Sequence, residues 1–498
     1  MSSRQGLPIE LLEFIFQHLR LPPLTLGSEL PDRTFTEHRA ALRSLCHTSR
    51  LFLEVARPLL YEKVVLYIDE ENLKADGELL AGYKSLVLLL RTLTQRPELR
   101  AYVKYVACPM LLPTNPWWLE DDRAELVSAS WKYNKADFAR LSGDDQTVFG
   151  LAGLDISHAD PPSSEDEVSQ VAEQLLAVLV CLASTLETLL LQTVECQEYK
   201  ILNRTITRAL KHERLRHRTL PNLRTLQFQL PPRSVLQASQ FFGRAECATI
   251  YACPVLLTLP SVRRIETRHD ELSYADDFAW AGQIEELDLV SQSSADTYNR
   301  LFARAGSLRK LSIDMFNFVA LDMGGDEEKA DLNAALARLA RTLRELRVFT
   351  RYRDDYDGYF PSSARLTCLP RLERLEVLAV DRKALFRSEA ELAERGLADR
   401  LPPNLRVLDL HEDWRRRRRP GDRDELYAAA FVDLAAAARR RERLPRLSEV
   451  ALWPSNHDRE HARLELRDDT LADIKRALAG AGVAFRWLRR WPPQELVP

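Results

Sequence analysis

From Val103 onward the chain keeps returning to one pattern, apolar-x-x-apolar-x-apolar, which first appears as Val103-Lys104-Tyr105-Val106-Ala107-Cys108. It recurs at Leu186/Leu189/Leu191, Leu223/Leu226/Phe228, Val262/Ile265/Thr267, Ile284/Leu287/Leu289, Leu308/Leu311/Ile313, Leu343/Leu346/Val348, Leu372/Leu375/Val377, Leu405/Leu408/Leu410 and Leu447/Val450/Leu452. From the second occurrence to the last the mean interval is about 33 residues, a period typical of stacked repeats. The last two apolar positions alternate with other residues, so each motif predicts a short strand with one buried face. Segments of helical period lie between them. Ser164 with Glu167, and Ser388 with Glu391, spell capping boxes. Residues 331–341 and 424–441 read as Ala-rich helices, the second with its arginines in the last turns, where the helix dipole favours them. Each unit is then strand, turn, helix. Stacked units predict an α/β architecture with parallel strands inside and helices outside.

The words around the strands repeat as well: Leu220-Pro221-Asn222-Leu223-Arg224, Leu369-Pro370-Arg371-Leu372-Glu373, Pro402-Pro403-Asn404-Leu405-Arg406 and Leu444-Pro445-Arg446-Leu447-Ser448. Motif, period and words together resemble a leucine-rich repeat protein. The units are longer and less regular than the family's, and the Asn or Cys that normally follows the strand is mostly absent. An insertion near residues 110–165, carrying Trp117, Trp118 and Trp131, separates the first strand from the second. A helix over 469–479 stopped by Gly480, then a strand over 483–487, reads as a cap near 469–488 that closes the sheet edge.

The N-terminus follows another pattern. Pro8 suits a first helical turn, Glu10 and Glu13 sit near the positive end of the dipole, and Leu12, Ile15, Phe16 and Leu19 fall at i, i+3, i+4 and i+7. Leu11 and Phe14 widen that stripe beyond what docking on its own domain requires, so a partner is expected to cover the excess. A linker over 20–38 follows. Leu42, Leu45 and Cys46 then share one helical face, and Phe52, Val55 and Ala56 the next. Pro58 is expected to halt the pattern before a β-prone Val64-Val65-Leu66. The Leu-Pro-x-Glu opening at Leu7, the Ile15-Phe16-x-x-Leu19 finish, the Leu42-x-x-Leu45-Cys46 helix, Arg50-x-Phe52 and Pro58-Leu59-Leu60-Tyr61 together resemble an F-box of fungal type. The 20–38 linker is longer than that family's usual gap. The resulting domain division is 1–66, F-box-like, and 67–498, the repeat region.

Composition narrows the chemistry. Lys and Arg number 70 against 73 Asp and Glu, a formal charge of −3 over 498 residues, so neither nucleic acid nor a membrane is expected as a partner. Seven scattered cysteines without a Cys-x-x-Cys pair fit a reducing compartment. No signal peptide or membrane span is read, which predicts an intracellular protein of the cytoplasm, the nucleus or both. With 17 glycines there is no phosphate loop, no Gly-x-Gly-x-x-Gly and no Gly-x-Ser-x-Gly. His457-Asp458-Arg459-Glu460-His461 spells His-x-x-Glu-His, but in a charged run after a strand end it reads as a solvated loop. Asp354, Asp355 and Asp357 read as an acidic turn. Arg415 to Arg419 is a solvated basic run or an import signal. No catalytic residue, metal or cofactor is expected.

What the F-box resemblance implies is a substrate-recruiting subunit of a cullin-based ubiquitin ligase, held by a Skp-type adaptor and choosing a protein substrate through its repeats. The alternative is a repeat scaffold that binds proteins outside any ligase, with a metal-dependent hydrolase a distant third. Adaptor contacts are expected from Leu7, Pro8, Ile15, Phe16, Leu19 and Leu42. Strand parity points the motif's last two apolar residues inward and puts the residues before and after each of them on the opposite, concave face. Those of the later units, Arg347, Phe349, His411 and Trp453, are the expected substrate contacts, since aromatics and arginines make binding hot spots.

Overall fold

A computed structural model describes residues 8–22, 33–66, 79–108, 141, 143–154, 165–192, 198–229, 250–270, 278–291, 295–316, 332–351, 365–386, 388–412, 424–441, 443–454 and 466–487. The chain forms two compact units, Met1–Arg268 and His269–Pro498. In the first, helices α1 (Ile9–Gln17), α2 (Arg33–Cys46) and α3 (Arg50–Glu62) precede β1 (Lys63–Val65), β2 (Tyr105–Cys108), β3 (Thr188–Gln192), β4 (Thr225–Gln229) and β5 (Arg264–Asp270). These strands pair in chain order and in parallel. The second unit repeats the arrangement with β6 (Glu286–Ser291), β7 (Lys310–Phe316), β8 (Glu345–Arg351), β9 (Val377–Asp381), β10 (Val407–Glu412), β11 (Glu449–Pro454) and β12 (Ala484–Trp487). Helices such as Glu165–Leu182, Ala295–Arg304 and Asp424–Arg440 connect them. This is the α/β fold of an irregular leucine-rich-repeat-like solenoid, preceded by N-terminal helices.

The motif explains the packing. Leu343, Leu346 and Val348 are all fully buried, as are Leu186, Leu189 and Leu191. The first of each trio plugs the turn before the strand, and the other two point to the helix layer. At the entrances to β3, β4, β5, β7, β8, β9, β10 and β11 one carbonyl of the preceding repeat accepts two N–H groups of the next, whereas at β12 Ser448 O accepts from Ala484 N and Val483 N turns to Leu478 O. Arg309 O takes Arg344 N at 2.8 Å and Glu345 N at 3.0 Å; Arg344 O takes Glu376 N and Val377 N; Glu376 O takes Arg406 N and Val407 N. Lys104 O and Glu187 O do the same in the first unit. Asn222 and Asn404, from the repeated Pro-Asn-Leu words, add side-chain bonds to the preceding repeat, Asn222 Nδ2 to Ser184 O at 3.2 Å and Asn404 Nδ2 to Glu373 O at 2.7 Å.

One strand lies three residues beyond its expected place. Val377 pairs with Glu345 on one side and Val407 on the other, so the structural trio is Leu375, Leu378 and Val380, not Leu372, Leu375 and Val377. The Leu372-Glu373-Arg374-Leu375-Glu376-Val377-Leu378-Ala379-Val380 stretch spells the motif twice, and only the neighbouring strands choose between registers. Leu378 is therefore core, not a surface position.

Further differences lie at helix ends. Pro58 does not halt α3, which runs through it to Glu62. A proline ring forfeits the bond to the carbonyl four residues back, but Val55, Ala56 and Leu59 are buried around it and hold the last turns in place. The linker read over 20–38 gives way to α2 at Arg33, and the Ala-rich helix near 331–341 shortens to Leu332–Ala337. At the C-terminus the helix Asp468–Gly480 includes Gly480, and the reversal into β12 uses Gly482, at φ +74°, where glycine carries no Cβ penalty. Ser388 caps as expected, accepting from Glu391 N at 3.2 Å, while the Glu391 side chain turns to Arg400 instead of closing the box. The Ser164 box, the Trp117–Trp131 stretch, the 457–461 motif, the 354–358 acidic turn and the 415–419 arginines lie outside the described residues.

The register of β9 can be tested by stability. Leu378→Ala should cost about 2–5 kcal/mol and Val377→Ala about 1 or less, measured by denaturant unfolding of the full chain. Equal costs would refute this register.

Candidate functional site

Helix α1 has two apolar faces. Leu12 and Phe16 turn inward and join Leu21, Phe35, Leu42, Val55, Ala56 and Leu59 in one core, with Leu19, Leu45 and Phe52 partly buried against it. Phe16 meets the Phe52 ring edge-on at 5.5 Å. Leu11, Phe14 and Ile15 turn outward. Phe14 is 65% exposed, and its ring meets His18 at 5.5 Å. Leu11, Phe14, Ile15 and His18 stand at i, i+3, i+4 and i+7, so the excess apolar stripe of the sequence is an uncovered face.

This placement changes the expected adaptor contacts. Phe16, 4% exposed, and Leu42, at 0%, serve the internal core and offer nothing to a partner. Ile15 is exposed, Pro8 is exposed at the helix N-cap, Leu19 is half-buried, and Leu7 lies outside the described residues. Helix geometry decides this: Phe16 lies about 100° around the helix from Ile15, enough to carry it from the exposed face into the core. Leu11 and Phe14, which in the sequence only widen the stripe, are exposed with Ile15.

The core under α1 also includes Val65, Tyr105, Ala107 and Leu190. These align across β1, β2 and β3 as Val65↔Ala107↔Leu190, on the face opposite Val64, Val106 and Leu189. Helices α1–α3 therefore pack on the sheet face that the motif leaves free. Arg20 closes the arrangement, its Nε donating to Glu62 Oε1 at 3.0 Å.

In the second unit the corresponding face gathers all four residues expected to read a substrate. His411 and Trp453 are direct partners across β10 and β11, their rings stacked at 6.0 Å and 9°. Phe349 reaches over from β8 and meets His411 edge-on at 4.8 Å. Of the intervening β9, Asp381 is aligned with His411, and the small Ala379 is aligned with both Arg347 and Asp409. Arg347 Nε donates to Glu345 Oε1 at 2.8 Å. Asp409 lies 4.0 Å from Arg486, which also pairs with Glu449. Arg486 comes from β12, which the sequence presents only as a cap, and no motif marks it as part of this face.

Burial separates these residues. His411 is 4% exposed and Trp453 8%, whereas Arg347 and Phe349 are partly accessible. Burial drives the His411 ring down to about 3, and the Arg347 charge adds to the shift. The imidazole is neutral near pH 7 and acts as a flat ring between two others. Burial also raises the Asp409 carboxyl, against the opposing pull of Arg486, the Trp453 hydrogen bond and Arg347. The result is an aromatic shelf edged by charge.

Among the described residues no group of three or more His, Cys, Asp or Glu is placed to hold a metal ion, and no helix is long and apolar enough to cross a membrane. Cys46, Cys108, Cys181, Cys253 and Cys368 are free thiols. Cys108 and Cys253 are both pushed up by burial, and Cys181 to about 12, so they behave as apolar core groups.

No protein-family model matches the chain, and no curated protein matches it. Among solved structures, an internalin from Listeria monocytogenes is similar at 12% identity, covering 62% of this chain and 83% of that one, with a TM-score of 0.21. The assignment to the leucine-rich-repeat-like class therefore rests on the repeat geometry described above.

The depressed His411 has a thermodynamic consequence. Its folded pKa, about 3, lies below the ordinary 6.5, so between those values the unfolded chain binds the proton and the folded one does not. The stability from keeping the ring neutral is present above about pH 6.5 and is lost as pH falls toward 3. Asp409, whose folded pKa is raised, works in the opposite sense from the ordinary carboxylate range upward. Denaturation midpoints of wild type and His411→Gln between pH 7 and 4 should therefore converge as the pH falls. A constant difference across that range would refute the reading.

Proposed function

We propose that this chain is a protein-recruiting adaptor, with α1–α3 docking on a Skp-type adaptor of a cullin-based ubiquitin ligase and the second unit's sheet face holding the target protein. The observation that carries the proposal is the doubled apolar face of α1. A helix that needed only to close its own core would use Leu12 and Phe16 and present polar residues elsewhere. Instead Leu11, Phe14 and Ile15 stand in water, and covering them with a partner contributes roughly 1.5–3 kcal/mol each. The F-box resemblance supplies the partner's identity. Work inside the cell, in the cytoplasm or nucleus, follows from that partnership.

For the target, Arg347 and Phe349 are the contacts in this reading, and His411 and Trp453 form the support beneath them. Arginine beside a partly exposed aromatic gives both a directional donor fork and apolar area.

A second reading has its own support. Because α1–α3 share a core with Tyr105, Ala107 and Leu190, they also serve as a cap on the first unit's sheet. A scaffold that binds proteins with no ligase attached would need the helices for that alone.

Replacing Leu11, Phe14 and Ile15 together by Ser should abolish co-purification of the Skp-type adaptor without lowering thermal stability. If the wild-type chain brings down no such adaptor, or the triple variant keeps it, the capped scaffold is the correct reading. Separately, Arg347→Ala with Phe349→Ala should reduce target capture at least about tenfold and leave adaptor binding intact. Unchanged capture would move the target site elsewhere.

A further inference from the structure

The turns that enter β8, β9, β10 and β11 each carry an arginine within three residues of the strand: Arg344, Arg374, Arg406 and Arg446. All four are exposed, and among the described residues none has a side-chain hydrogen bond or ion pair. Their backbones are held firmly. Arg344 and Arg406 are residues whose carbonyls accept the paired N–H groups of the next repeat, and the register of the four strands is continuous. By strand register Arg344 and Arg406 stand level, with Glu376 between them and Ser448 beyond, while Arg374 and Arg446 come two residues earlier in their turns; with adjacent parallel strands about 4.8 Å apart, this staggered rim spans roughly 14 Å. Exposed Arg341 and Arg371 lie in the same turns. The carboxylates there are Glu373, Glu376 and Asp399, and Asp399 is already paired with Arg443. In a chain whose formal charge is −3, this rim is a local concentration of positive charge.

We propose that the strand-entry rim of the second unit is a docking surface for an acidic polypeptide segment. Charge complementarity selects the partner. Guanidinium groups match carboxylates through paired donors, and a staggered rim with one such arginine per strand across four strands suits an extended chain of about four to six residues. Glu373 and Glu376 interrupt the row, which works against a uniformly charged phosphate backbone lying along it. The surface is distinct from the aromatic shelf and does not depend on any ligase association.

The test uses the full-length chain and fluorescein-labelled octaglutamate at low ionic strength. The comparison is between Arg344→Glu/Arg374→Glu/Arg406→Glu/Arg446→Glu and a control with the same change of net charge at exposed positions of the first unit, Arg39→Glu/Arg43→Glu/Arg204→Glu/Arg208→Glu. Wild type and control should bind the peptide with similar affinity, the rim variant at least about tenfold more weakly, and binding should fall as salt is added. Circular dichroism melts of both variants matching wild type would exclude unfolding as the cause. If the rim variant has melted, the single charge-neutral variants Arg344→Gln and Arg406→Gln should each weaken binding in its place. No binding by wild type, equal loss in rim and control variants, or tighter rim-dependent binding of a single-stranded oligonucleotide or of phosphatidylserine vesicles would overturn the proposal.

Discussion

The bond pattern at the strand entrance is the constraint on which the rest depends. A carbonyl that accepts two N–H groups of the next repeat fixes both the height and the register of the incoming strand, whatever the connecting chain has done since the last one. Backbone donors in a buried turn must be paired, so a repeat that failed to reach this acceptor would leave two of them unsatisfied. Together with the leucine trio, that demand is enough to define a repeat. It explains why the spacing between strands is so irregular: 24 residues separate Lys310 from Glu286, and 42 separate Glu449 from Val407, yet the pairing is unaltered. Loop closure grows costly only slowly with length, so variable connections are tolerated where the entry lock is kept.

With one sheet face committed to leucine, the other face is where the repeats differ. In the first unit it is apolar at Val65, Ala107 and Leu190, and α1–α3 cover it. In the second unit it alternates charged and aromatic residues, and the rings of Phe349, His411 and Trp453 pack on one another. That contrast is present in the chain. Leu189-Leu190-Leu191 and Tyr105-Val106-Ala107-Cys108 are unbroken apolar runs, the signature of burial on both faces, whereas Glu345-Leu346-Arg347-Val348-Phe349 alternates. The shared trio makes all these segments look like strands of one kind, and the boundary expected at residue 66 leaves β1 with the covering helices while parting them from β2 and β3, which they also cover.

Repeat periodicity is the most legible feature because it is local: each trio needs only six residues, and its burial follows from parity. Parity also brings Arg347, Phe349, His411 and Trp453 to one face from three separate strands. What escapes a sequence reading is settled by long-range pairing. The doubled motif around Leu375 has two equally good registers, and only Glu345 and Val407 choose between them. Phe16 and Ile15 are adjacent residues in one apolar stripe, and which of them meets the core depends on where Phe35, Leu42 and Phe52 lie. Arg486 joins the shelf from a strand about 75 residues after His411, a distance that no motif spans.

The apolar face of α1, the aromatic shelf and the arginine rim obey different energetics, and this bears on which of them requires a partner. The shelf is already closed: His411 and Trp453 are buried, the imidazole stays neutral, and the rings satisfy one another. The arginine rim is hydrated, and solvated guanidinium groups cost little to leave unpaired. Only the outer face of α1 stands at a thermodynamic disadvantage in isolation, because Leu11, Phe14 and Ile15 order water without return. Among the described residues, Ile9, Leu11, Phe14 and Ile15 are four of the six large apolar side chains that remain exposed, and all four lie on this one nine-residue helix. Scattered exposure needs no explanation, but Leu11, Phe14 and Ile15 gathered on one helix face do. A partner that covers it gains apolar burial without paying to order the surface, since Leu12 and Phe16 already anchor the helix from beneath.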